Sequence, residues 1–162
     1  MTRDLASMSS VASWNGTMVF GIGGNFQNWT TTGWSAPEVG ITWIDGYQAT
    51  LEFAMPAPQA DQTLELAVLP VDVHIVQHMY TYLNGLFLGF VVGKKGLQEF
   101  TVTINQEFFR PDGLRNTLTF VCPKAVRPRD LGAGLDRRIL SFAFSLLSLY
   151  PAKVPPPTST ET

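Results

Sequence analysis

Two short apolar-rich runs, residues 79–83 and 87–92, meet at Asn84-Gly85. That dipeptide supplies positive φ at both centres of a type I′ turn, whose twist suits two antiparallel strands, so the runs are read as a β-hairpin. The rest of the chain is punctuated in the same way. Gly and Pro recur every several residues, and hardly any window keeps apolar residues at i, i+3, i+4 and i+7 for long enough to build a helix. The body is therefore read as β.

Further strands can be placed by alternation. Residues 17–21 open the domain, and residues 48–55 put Ala49, Leu51, Phe53 and Met55 on one face before Pro56 and Pro58 end the run. Residues 63–69 repeat this with Leu64, Leu66 and Val68, and an alternating run starting at residues 71–75 continues into 79–83. Residues 100–104 and 118–121 follow. The last run, 139–149, reads as a strand through Leu140, Phe142, Phe144 and Leu146, with a short buried helix as its alternative. Roughly eight to ten short strands at this spacing predict an all-β fold of two antiparallel sheets packed face to face, a β-sandwich of jelly-roll type.

A chain of 162 residues suffices for one core. Residues 1–13 are expected to be a flexible segment, 14–151 the sandwich, and 152–162 a disordered tail rich in Pro and Thr. A net charge of -2 with 15% charged residues offers no basic surface for a phosphate backbone, so nucleic acid is excluded as a partner. No run approaches the ~20 apolar residues of a membrane span, and the opening residues lack an apolar signal core, so a cytoplasmic location is expected. Cys122, in the apolar run 118–122, is read as a small buried hydrophobe.

Catalytic signatures are thin. Gly21 and Gly23 match two glycines of a dinucleotide fingerprint, but Phe26 stands at the third and no helix follows. His74 and His78 have zincin spacing without its glutamate, and on an extended strand they would stand ~13 Å apart. Glu38, Asp45, Glu52 and Glu65 are the carboxylates from which a glycosidase pair would have to come. The chain is read as non-enzymatic and without a cofactor, with a structural calcium ion left open.

Binding has more to work with, because flat aromatic faces beside planar polar groups are what sugar rings require. Trp29, Trp34, Trp43 and Tyr47, with Asn28, Asp45 and Gln48 nearby and Arg137 in a second polar cluster, are the candidate ligand-binding residues. Trp29 is expected to be exposed, whereas Trp34 and Trp43 are expected chiefly to frame the sandwich edge. The cluster from Arg127 to Arg138 suits either an acidic sugar or an internal Asp-Arg network that pins its loop.

The segment order carries a resemblance. Gly33-Trp34, Glu38, Trp43 and Gly46 precede an alternating strand; Leu83-Asn84-Gly85 with Leu88-Gly89 follow; then come Asn116, Leu118 and Phe120, and Asp136-Arg137-Arg138 before Phe142-Ala143-Phe144. Over about residues 33–149 this resembles bacterial jelly-roll domains similar to carbohydrate-binding modules, found alone or appended to glycosyltransferases of cell-surface polysaccharide assembly. The resemblance implies a non-catalytic module associated with carbohydrate, and a carbohydrate or a glycosyltransferase as partner. The alternative is a protein-interaction domain that docks on a glycosyltransferase or forms a homo-oligomer through a sheet face, motivated by the apolar runs at 86–92 and 140–149.

Overall fold

The computed structural model describes residues 11–14 and 16–153. The expected flexible segment 1–13 and tail 152–162 therefore fall almost wholly outside the described residues. Among those, nine strands form: β1 (Gly16–Val19), β2 (Thr42–Asp45), β3 (Gln48–Phe53), β4 (Gln62–Pro70), β5 (Gln77–Leu83), β6 (Leu86–Gly93), β7 (Gln98–Ile104), β8 (Asn116–Val121) and β9 (Leu140–Pro151). Short 3₁₀ turns at Phe26–Asn28, Gln106–Phe108 and Pro128–Leu131 complete the regular structure.

The pairing is nested about the Asn84-Gly85 turn. Both turn residues have positive φ, 52° and 82°, as the sequence requires. Outward from that turn β5 pairs with β6, β4 with β7, β3 with β8 and β2 with β9, all antiparallel. Successive pairs alternate between two sheets, which is the wrapping of a jelly roll. The first sheet has the order β1-β9-β4-β7 with β2 also on β9, and the second has β3-β8-β5-β6.

Between the sheets lies one main core. Leu51, Phe53, Leu64, Leu66, Met79, Leu118, Phe120, Phe142 and Phe144 are all essentially inaccessible, as their alternation dictates. Cys122 is buried in it, and desolvation pushes its thiol up to about 12, so it stays a protonated hydrophobe.

Two expectations need correction. The alternation of β9 is broken where Ala67 faces Leu146 but Val68 faces Phe144; Ser145 is the extra residue of a β-bulge, so Leu147 enters the core and Leu146 turns outward. Residues 71–76 do not begin β5. Pro70 ends the β4 ladder, Val71 N–H bonds to Ser141 O, and Val73 N–H turns back onto Val71 O, leaving a loop across the sandwich end.

Candidate functional site

The outer face of the second sheet carries side chains in registered rows. Gln48 on β3 faces Val121 on β8, which faces Tyr80 on β5, which faces Phe90 on β6. The next row is Thr50, Thr119, Tyr82 and Phe87, and His78 opposite Val92 extends the aromatic side. Tyr80 and Phe90 lie nearly parallel with ring centroids 5.6 Å apart, and Tyr82 meets Phe87 at 5.6 Å. Phe87 and Phe90 are 52% and 55% exposed.

A β-bulge assembles this cluster. Phe87 and Phe90 are three residues apart, so strict alternation would send them to opposite faces. Tyr82 pairs with Phe87 and Thr81 with Gly89, which leaves Leu88 as an extra residue and returns Phe90 to the side of Phe87. The result is a surface that is aromatic over β5 and β6 and hydroxyl- and amide-bearing over β8 and β3.

The polar side is fixed by a neighbouring segment. Thr31 N–H bonds to Thr50 O, Thr50 N–H to Thr32 O and Glu52 N–H to Trp29 O, so residues 29–32 cover the free edge of β3. The hydroxyls of Thr31 and Thr32 both bond to Thr50 Oγ1. Pinned hydroxyls in a row are oriented before a ligand arrives, which lowers the entropy lost on binding.

The structure distributes the candidate residues. Gln48 is on the described face, and exposed Tyr47 precedes it, its carbonyl accepting from Cys122 N–H. Trp29 is only 9% exposed, contrary to the expectation: although Gln27 and Asn28 beside it are exposed, its indole folds inward and donates to Ser13 O. Trp34 donates to Thr50 O at 2.8 Å and packs edge-on against Phe144, as a framework residue does. Trp43 lies on the other side of the molecule, against Leu140 and Ala143 of the first sheet. Asp45 is exposed with Oδ1 accepting from Ile139 N–H, and Arg137 is exposed, its carbonyl accepting from Arg127. The face thus gathers Gln48 with aromatics that were read only as strand residues, Tyr80, Tyr82, Phe87 and Phe90.

Three solved structures illustrate the similarity to known proteins. The CBM36-1 domain of a multidomain xylanase from the hindgut metagenome of Trinervitermes trinervoides is 16% identical, covers 86% of this chain and 100% of its own, with a TM-score of 0.49. A family 35 carbohydrate binding module from Clostridium thermocellum gives 9%, 84%, 98% and 0.46 in the same order. A ruminal GH26 endo-beta-1,4-mannanase gives 9%, 75%, 21% and 0.46, so this chain spans about a fifth of that enzyme. No protein-family model and no curated protein matches the sequence.

The four carboxylates from which a hydrolase pair would come are each bound to the framework. Glu52 meets Arg115 Nε at 3.2 Å, Tyr150 O–H donates to Glu65 at 2.9 Å, and Asp45 holds Ile139 N–H. Glu38 accepts from Arg138, whose guanidinium also reaches Ser35 Oγ and takes Asp136 through Nε and Nη2, the latter at 2.7 Å. This is the internal Asp-Arg network of the two sequence alternatives. Among the described residues no three His, Cys, Asp or Glu cluster as metal ligands.

The Arg138 hydrogen bonds hold the Asp136 carboxyl below the ordinary carboxylate range. A depressed carboxylate contributes stability that is present above its unfolded value, ~4, and is lost as pH falls through the folded one. Because Asp136 and Arg138 side chains are 34% and 29% exposed, the contribution is expected to be at most ~1 kcal/mol. Denaturant titrations of wild type and Arg138→Met should therefore differ most near neutral pH, with the difference shrinking as pH falls below ~4 to what the uncharged Ser35 bond contributes. A difference unchanged down to pH ~2 would remove the charge pair as its cause.

Proposed function

We propose that the protein is a non-catalytic carbohydrate-binding module whose glycan lies across the outer face of the second sheet. The observation that carries this is the pair of rows in which the rings over β5 and β6 continue into Thr119 and the pinned hydroxyl of Thr50 in one row, and past Val121 to exposed Gln48 in the other. Sugar rings have apolar C–H faces and a hydroxyl rim, so a chain lying along β5 and β6 would stack on Tyr80 and Phe90. Its hydroxyls would meet Thr119, Thr50 and Gln48. On the sequence resemblance alone, the proposal includes a setting in bacterial polysaccharide metabolism beside a glycosyltransferase.

The test is a glycan array followed by calorimetry with the best oligosaccharide. Tyr80→Ala/Phe90→Ala is expected to weaken binding at least tenfold while the circular dichroism and the melting temperature stay close to wild type, because both rings point away from the core. Undiminished affinity in that variant, or no glycan bound at millimolar concentration, would overturn the reading.

A second reading rests on β6 itself. It is an edge strand of eight residues without a charge or a proline, and Leu86, Phe87, Phe90 and Val92 are exposed along it. Such an edge lacks the features that ordinarily prevent strand addition, so it suits self-association through the sheet. Light scattering separates the two: a concentration-dependent mass abolished by Phe90→Lys, with no glycan bound by wild type, favours the interface.

A further inference from the structure

At one end of the sandwich the loop 71–76, the turn 94–96 and Trp43 enclose a groove of about 670 Å³. That is the size of a small-molecule site, for which roughly 300–1,000 Å³ is usual. Its walls come from Trp43, Val71, Val73, Ile75 and Val92, and the same loop that fails to join β5 supplies most of them.

The polar groups there are of two kinds. The buried amide of Gln77 is already committed, its Nε2 donating to Ile75 O and Lys124 O and its Oε1 accepting from Ser141 at 2.6 Å. Both of its donors are used, so it has no N–H to offer a neutral sugar's hydroxyl. At the rim Lys94 and Lys95 are both exposed, and no ion pair among the described residues involves either; Asp72 and His74 are the other titratable groups of the lining.

We infer that this groove binds an anionic amphiphile, a free molecule with one apolar chain and a terminal acid. The chain lies between Trp43, Val71, Ile75 and Val92, and the acid meets Lys94 and Lys95. Charge complementarity selects the ligand's sign, because the lining carries two lysines outside any ion pair and a single carboxylate, and the apolar walls select its body. The groove borders the glycan face at Val92 but uses neither Tyr80 nor Phe90.

Calorimetry with sodium laurate, kept below the concentration at which it forms micelles, tests this on the full chain. One molecule per protein is expected, with Lys94→Glu/Lys95→Glu weakening it at least tenfold and leaving circular dichroism unchanged. Tyr80→Ala/Phe90→Ala should bind laurate as wild type does. Four results would overturn the inference: no laurate binding, equally tight binding of dodecyltrimethylammonium, insensitivity to the lysine reversal, or binding only to vesicles of anionic phospholipid. Loss of laurate binding in the Tyr80/Phe90 variant would also overturn it, by moving the site to the sheet face.

Discussion

Trp34→Ala is expected to cost about 3–5 kcal/mol of unfolding free energy, much of the stability of a domain this size. The indole comes from the connection between β1 and β2 and, partly buried, packs against the core where the two sheets meet. It lies 5.2 Å from Phe144 of the first sheet and 6.3 Å from Phe120 of the second, with Phe20 at 5.3 Å. Phe120 and Phe144 themselves meet at 4.8 Å, so the indole completes a cluster joining both layers. Its Nε1 also donates to Thr50 O, and truncation leaves both a cavity and a lost bond. Chemical denaturation of Trp34→Ala and Trp34→Phe measures it. The phenylalanine variant should recover more than half of the loss. If alanine is tolerated within ~1 kcal/mol, the ring is not a framework residue and returns to the list of ligand contacts.

That experiment bears on what the sequence could tell. The hairpin at Asn84-Gly85 and the inward sets on β3 and β4 are legible because they depend on neighbours two residues away and on a turn chemistry with few alternatives. The architecture followed from counting such runs. Where a strand slips by one residue alternation stops predicting faces: nothing around Ser145 announces a bulge, and Gly89, a residue type that often marks one, does not say at which position the register shifts. One bulge moved Leu146 out of the core, and the other brought Phe87 and Phe90 to one face, which is why the aromatic rows were invisible as a unit. Trp29 was misplaced for a different reason. Its sequence neighbours are polar and exposed, but a 3₁₀ turn carries the indole past them to Ser13 O, a contact 16 residues away.

Gly33→Ala should have the second large effect, about 3–5 kcal/mol, through the backbone and not through any lost side chain. Gly33 has φ +90°, and a Cβ built there would lie 2.1 Å from Gln48 O and 2.7 Å from Ala49 Cα. Neither neighbour is a flexible side chain that can step aside. At this point the chain leaves the edge of β3 for β2: Asp45 N–H bonds to Gly33 O at 2.8 Å and Ser35 N–H to Trp43 O at 2.9 Å. Any relief must therefore peel residues 31–35 from one strand or the other. Gly40 is the matched control, with φ +76° and open space about its Cα, so its alanine variant should lose only ~1 kcal/mol of backbone preference. Equal melting temperatures for the two variants would show that the segment yields freely. If instead Gly33→Ala melts well below Gly40→Ala, the same variant should show weakened glycan binding at temperatures where it is still folded, because the displaced segment carries the Thr31 and Thr32 hydroxyls that hold Thr50 in place on the proposed binding face.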